Sequence, residues 1–184
     1  MKDRIAIFLI KHGDLSGLER LVNRYQAQAV HAAYLILFDR ALAEEVTQAA
    51  FVKVAERIHQ FDEERPFAPW FFRIVMNDAL KLARKQKHSV SLDESAKQLA
   101  EWLTDPGLQP EQLLEQKETR ENILNAIQSL LPEQRAVVVM RYYLDMSAAD
   151  MSTKMDRPLS TIKWWLRNAR QRLYELMTTR AEGE

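Results

Sequence analysis

Through most of this chain apolar residues recur every three to four positions, the period of helices that bury one face. Leu18, Leu21, Val22 and Tyr25 make one such stripe, and Ser16 with Glu19 spells a capping box ahead of it. Val46, Ala50, Val54 and Ile58 make a second, and Asp39 stands where it can cap that helix. The stretch "QFDEERPFAP" from Gln60 to Pro69 interrupts the period with two prolines and a cluster of charges, so it reads as a loop. Pro69 suits the first turn of a helix running to about Lys87. Ser89 to Pro110 is weakly periodic and contains the turn signal "DPG". Beyond it, one helix spans about Glu111 to Leu130, and three more are expected at Pro132–Leu144, Ser147–Met155 and Ser160–Met177. Ser147 with Asp150 imitates a capping box. A short helix, the tight break "DRPL" and a longer basic helix form a helix-turn-helix pattern. The pattern therefore predicts an all-α fold of two small helical domains, residues 1–88 and 111–184, joined by a flexible linker at 89–110.

Composition narrows the chemistry. The apolar share of 47% is enough for buried cores, and 4 Gly with 6 Pro favour long helices over an all-β fold. With no Cys there is no disulfide and no thiolate metal site, which fits a reducing cytoplasm. The His at 12, 31, 59 and 88 lack the i,i+4 spacing of a helical metal site, so no metal and no cofactor are expected. The apolar run Ile5 to Ile10 is too short to span a bilayer and fits a core-facing first helix. No paired carboxylates, nucleophile–base set or Gly-rich phosphate loop supports an enzyme or a small-molecule substrate.

The formal net charge of +0 argues against a nucleic-acid binder, but its distribution argues for one. Arg65, Arg73, Lys81, Arg84, Lys85 and Lys87 face only Asp78 in their block. Arg157, Lys163, Arg167, Arg170, Arg172 and Arg180 face only Glu175 in theirs. Between the two blocks lies an acidic segment. On the helix after Pro69, residues Arg73, Asn77, Lys81, Arg84 and His88 fall on one face, with Phe71, Ile74, Val75, Ala79 and Leu82 over most of the rest. Phe61 and Phe67 from the preceding loop, with Trp70, could stack on unpaired bases while the cations hold phosphates; each aromatic could equally be core, the better reading for Trp70 and Phe71. In the last helix Ile162, Trp165, Leu166, Ala169, Leu173 and Leu176 share a face, so Trp165 is expected to pack inward. Lys163, Trp164, Arg167, Asn168 and Gln171 point away, as the reading side of a recognition helix would. The bland alternative for either face is solvation.

These residues resemble the extracytoplasmic-function (ECF) sigma factors of the sigma-70 superfamily. "DRALAEEVTQAAFVKV" (Asp39–Val54) and "PWFFRIVMNDALKLARK" (Pro69–Lys85) are similar to two helices of the family's region 2. The run from Leu130 to Leu173 resembles its region 4. The resemblance implies that the Asp39–Val54 helix binds core RNA polymerase through Asp39, Glu44, Glu45, Gln48 and Phe51, against helices of the β′ subunit, with the β subunit also a partner. It implies that Phe61, Phe67, Arg73, Asn77, Lys81 and Arg84 read and open the −10 promoter element, the loop capturing a flipped base. It implies that Ser160, Thr161, Lys163, Trp164, Arg167, Arg170 and Gln171 meet the −35 element, and that the acidic linker threads toward the active-site cleft. It further implies a bacterial cytoplasmic protein held idle by an anti-sigma factor, often membrane-bound, at the inner membrane face.

Departures mark this chain. Lys81 stands where the family usually has Asp, Asp150-Met151 replaces Glu-Ile, Trp164-Trp165 replaces a common Ser-Arg pair, and Asn168 stands where a second Arg is usual. Trp164 is then either a contact to a thymine methyl or sugar in the −35 groove or a residue covered by an inhibitor, with the ring's size favouring the second. The chain ends soon after region 4, so no appended sensory domain is expected. A competing reading is a helix-turn-helix regulator with an N-terminal sensor or dimerisation domain; it leaves the second basic stripe and the acidic connector unexplained.

Overall fold

The computed structural model describes residues 2–85 and 121–181 and divides the chain into two compact units, Met1–Ala83 and Arg84–Glu184. Every regular element among the described residues is helical.

The first unit contains α1 (Lys2–Lys11), α2 (Ser16–Leu37), α3 (Arg40–Arg57), a 3₁₀ turn (Ile58–Gln60) and α4 (Phe67–Lys85). The expected Ser16–Glu19 capping box does not form. Ser16 lies inside the helix, and its N–H donates to Asp14 Oδ1 at 2.8 Å. That hydrogen bond holds the Asp14 carboxyl below its ordinary range. Close packing of α1 on α2 depends on Gly17, where a Cβ would stand 2.2 Å from the Ala6 carbonyl oxygen. The α2–α3 corner turns at Phe38, a buried non-glycine residue with φ 52, whose N–H donates to Tyr34 O at 2.7 Å. Asp39 then caps α3 as expected, accepting from Leu42 N at 3.0 Å. Small residues (Ala29, Ala32, Ala33, Ala43, Ala50) bring α2 and α3 together. At one end of this core Tyr25, Phe51, Phe61, Phe67, Phe71 and Phe72 form a connected cluster, with Phe71 stacked on Phe51 at 4.6 Å and on Phe67 at 5.8 Å between centroids. Each such pair contributes roughly 0.5–1.5 kcal/mol beyond the area it buries.

In the second unit residues 121–128 are helical (α5), followed by α6 (Pro132–Val138), α7 (Ala148–Met155) and α8 (Leu159–Ala181). The expected single helix Pro132–Leu144 instead widens to a π turn over Val139–Tyr143, closed by Leu144 N–H to Val139 O at 3.1 Å. Such single-turn widenings are frequent at functional sites; within this one Arg141 and Tyr142 are exposed. Ser147 and Asp150 form the expected capping box on α7: Asp150 N donates to Ser147 Oγ at 3.0 Å and Ser147 N to Asp150 Oδ2 at 3.3 Å. The break before α8 is made by Asp156 at φ 51 and by Ser152 Oγ donating to Arg157 O at 2.6 Å. Met151 on α7 and Ile162, Leu166 and Ala169 on α8 are buried, with Leu124, Leu130 and the Ala136–Met140 run supplying the rest of the core. The α7–turn–α8 arrangement is the anticipated helix-turn-helix, with α8 starting one residue earlier than expected.

Candidate nucleic-acid and polymerase interfaces

Among the described residues, three exposed faces carry the polar chemistry expected from the sequence, along α3, α4 and α8.

The first is the outward side of α3. Glu45 and Gln48 are exposed, and Glu44 is half-buried and accepts from Arg40 Nε at 2.9 Å. Asp39 spends its carboxylate on the helix cap. Phe51, expected on this face, is only 6% exposed and stacks on Phe71, so it supports the helix from below and is removed from the contact set. The exposed apolar residue on this side is Val52, 56% exposed and one turn beyond Gln48. The helical wheel carried that signal: Val52 lies outside the stripe of Val46, Ala50 and Val54 and shares a face with Glu45, Gln48 and Glu56.

The second face runs along α4. Arg73, Asn77, Lys81 and Arg84 are all exposed on the side opposite Phe71, Phe72, Val75, Met76, Ala79 and Leu80. His88 lies outside the described residues. Asp78, the one acid in this basic block, is tied to Lys53 Nζ of α3 at 2.6 Å, so its charge is paired away from Arg73 and Lys81. The aromatic expectation needs correction. Phe61 is 5% and Phe67 2% exposed. Their rings pack on each other, on Trp70 and, for Phe67, on Tyr25 and Phe71, so neither presents a stacking surface. Burying a phenyl ring is worth roughly 1.5–3 kcal/mol, and nothing in the sequence told that gain from base stacking. What the loop does expose is polar. Asp62 accepts from Glu64 N at 3.1 Å and pairs with Arg65 at 3.2 Å, while Glu63 pairs with Lys11 of α1 at 2.7 Å. Phe71 is fully buried and Trp70 half-buried.

The third face is on α8. Ser160, Lys163, Trp164, Arg167, Arg170 and Gln171 are exposed, and Thr161 is half-buried. Trp164 keeps 50% of its surface in solvent among these cations, whereas Trp165 is half-buried beside Ile162 and Leu166. The two tryptophans thus diverge as expected, though Trp165 is less enclosed than a core residue. Gln171 Nε2 donates to Glu175 Oε1 at 3.1 Å, and Arg170 Nε to the Leu166 carbonyl at 3.3 Å. Lys163 and Trp164 lie in the second turn and Arg167 at the start of the third, the N-terminal part by which a helix entering a major groove reads base edges.

Asp150 sits in α7 just before this helix. Its hydrogen bond from Ser147 holds the carboxyl below its ordinary range. No group of His and acidic side chains suited to a metal ion occurs among the described residues, and no helix among them is long and apolar enough to cross a membrane.

Comparison with known proteins gives these faces a frame. Residues 21–89 match the model of sigma-70 region 2, and residues 120–173 match that of sigma-70 region 4. The chain is 26% identical over 170 residues to the ECF RNA polymerase sigma factor SigW of Bacillus subtilis, covering 89% of this chain and 90% of that one. It is 25% identical over 178 residues to the ECF RNA polymerase sigma-E factor of Escherichia coli K12, covering 93% and 92%. Its fold is similar to that of CnrH solved with the cytosolic domain of CnrY (TM-score 0.66, 21% identity, covering 97% of this chain and 99% of that one). It is also similar to RpoE of Bartonella quintana solved with the anti-sigma factor NepR (TM-score 0.64, 18% identity, covering 87% and 96%).

Proposed function

We propose, for a chain that belongs to the ECF group of the sigma-70 family, a division of labour in which each exposed face serves one step of promoter-specific transcription initiation. The chain is a sigma factor; it acts without catalysis, by binding core RNA polymerase and choosing where it starts. The outward side of α3, with Glu45, Gln48 and Val52 around the tethered Glu44, docks on the polymerase. The α4 face engages the −10 element: Arg73, Lys81 and Arg84 hold phosphates, and Asn77 offers an amide to a base edge. The Asp62–Arg65 loop takes up an unstacked base through hydrogen bonds to its edge. Unstacking costs a few kcal/mol, which these contacts offset. The N-terminal turns of α8 enter the −35 major groove, with Lys163 and Arg167 nearest the bases and Arg170 and Gln171 toward the backbone.

One observation carries this reading: each unit presents an exposed basic helix face opposite its own core, and each unit matches a different promoter-reading region of the family. The residues 89–110 expected to form the acidic linker lie outside those described. Two structural relatives were solved with their partners CnrY and NepR, the latter an anti-sigma factor. A protein of that kind is proposed to hold this factor idle in the bacterial cytoplasm.

The test is transcription in vitro with core polymerase on a randomised promoter library, followed by start-site mapping. A two-part consensus upstream of the start sites is expected. Tight sequence-specific binding of duplex DNA by the chain alone, with no polymerase-dependent transcription, would instead support a helix-turn-helix regulator.

A further inference from the structure

We propose that Lys11, at the C-terminal end of α1, is a positioning residue for the loop that takes up the unstacked −10 base; this rests on the assignment of the Asp62–Arg65 loop made above. Lys11 lies outside the residues matching region 2, which begin at 21. Yet its ammonium reaches the loop twice. Nζ donates to the Phe61 carbonyl at 3.3 Å and to Glu63 Oε1 at 2.7 Å, across 50 and 52 residues of sequence. The loop needs such a tether. Its core side is fixed by the buried rings of Phe61 and Phe67, but between them Asp62, Glu63, Glu64, Arg65 and Pro66 are all exposed. Within that span the internal restraints are local, Asp62 to Glu64 N and Asp62 to Arg65. Lys11 supplies the restraint from outside, and it comes from a rigid source: α1 is locked to α2 through Gly17, and Arg24 and Tyr25 of α2 both bond Asp3 near the start of α1.

The tether also has an electrostatic effect. Three consecutive acids on a surface that must approach a DNA strand would repel it. Asp62 is paired by Arg65 and Glu63 by Lys11, which leaves Glu64 as the one acid of the three outside these ion pairs. Removing Lys11 therefore both loosens the loop and restores a repulsive charge where the base is to be taken up.

The experiment pairs variants of Lys11 with abasic substitutions in the DNA. Holoenzyme is assembled from core polymerase and the full chain. Its affinity is measured for a fork-junction promoter, chosen by the wild-type factor from the random library, with the non-template −10 strand single-stranded. Each −10 nucleotide is made abasic in turn. The wild type should lose affinity at one or two positions. Lys11→Met should bind the intact strand roughly fivefold more weakly, the upper end for a partly exposed ion pair. It should lose little more at the abasic position that matters most. Lys11→Arg, which keeps both donors, and the exchanged pair Lys11→Glu/Glu63→Lys should recover most of the loss. A Lys11→Met holoenzyme with wild-type affinity and the wild-type abasic profile overturns the proposal while leaving the loop assignment standing. A wild-type profile that is flat across the −10 strand overturns the loop assignment itself. A uniform loss at every position, with a lowered thermal midpoint for both Lys11→Met and Lys11→Arg, shows a purely structural residue and also overturns the proposal.

Discussion

Replacing Phe67 distinguishes a core ring from a base-stacking ring, and the structure sets the size of the effect. The Phe67 side chain is 2% exposed and meets four other rings: Tyr25 at 5.6 Å and Phe61, Trp70 and Phe71 each at 5.8 Å between centroids. Truncation to Ala removes the transfer energy of the ring and leaves a cavity, a change that costs roughly 3–5 kcal/mol. Domains of this size have about 5–15 kcal/mol in total, so Phe67→Ala should leave region 2 marginal. Phe67→Leu is the informative variant. It keeps an apolar side chain of somewhat smaller volume, so it should cost less than Phe67→Ala, and it forfeits aromatic pairing worth roughly 0.5–1.5 kcal/mol per ring pair. Urea unfolding followed by the fluorescence of Trp70 in a background where the other three of the 4 Trp are replaced by Phe, with hydrogen exchange on α2 to α4 as a second probe, should show the larger loss for Phe67→Ala and the smaller for Phe67→Leu. Because the ring is buried in the core, Phe67→Leu should open promoters at near wild-type levels at a temperature where it is folded. If Phe67→Leu kept its stability and failed to melt the −10 element, the ring would be acting on DNA and the assignment of Phe67 to the core would be wrong.

Three other consequences can be checked directly. Asn77→Ala should impair promoter opening, read by permanganate reactivity of −10 thymines, more than it impairs polymerase binding; normal melting would remove Asn77 from the base contacts. Lys163→Ala and Arg167→Ala should each lower the salt dependence of −35-dependent binding by about one ion if the side chain neutralises a phosphate, and a change in sequence preference without a change in slope would identify a base contact instead. For Asp150, the folded carboxyl lies below its ordinary value because Ser147 hydrogen-bonds it; the stability it lends is present above the unfolded value and is lost as pH falls through the folded one. Asp150→Asn should therefore flatten the acid limb of a pH series of thermal melts of region 4, and an unaltered acid limb would count against the capping role.

The sequence was most legible where interactions are local. Asp39 and Ser147 act as caps because their acceptors lie three residues from the N–H groups they bond, and the one-letter string contains that distance. The same logic failed at Ser16, where Asp14, two residues earlier, competes for the helix start. The two basic faces were legible for the same reason, since a helix turns a spacing of three or four into a direction in space. The aromatic loop was not. Phe61 and Phe67 flank a non-helical segment that has no period, so their direction depends on packing between elements, with Tyr25 of α2 on Phe67 and Trp70 of α4 on Phe61. The π turn at Val139–Tyr143 was hidden inside a run that looks helical at either spacing. The Lys11 tether joins residues about fifty apart and leaves no local trace.

Asp78 gives the sharpest electrostatic test of the α4 face. It stands three residues before Lys81, a spacing at which acid and base on a helix readily pair. In the structure its carboxylate instead meets Lys53 at 2.6 Å, with side-chain exposures of 27% for Asp78 and 34% for Lys53. The pair is partly screened by solvent, so its removal should cost at most about 1 kcal/mol of stability. Its larger effect should fall on DNA. In Lys53→Met the carboxylate loses its partner on α3 and is free to turn to Lys81, which withdraws one cation from the proposed −10 surface. The expected result is weaker binding of fork-junction DNA by the holoenzyme and a salt slope lower by about one ion. Adding Asp78→Asn removes the carboxylate that captured Lys81, so the double variant should regain the wild-type slope although the ion pair is still absent. If the double variant stays as weak as Lys53→Met, the loss comes from the missing ion pair or from Lys53 itself. The cationic character of the α4 face would then not depend on where Asp78 is held.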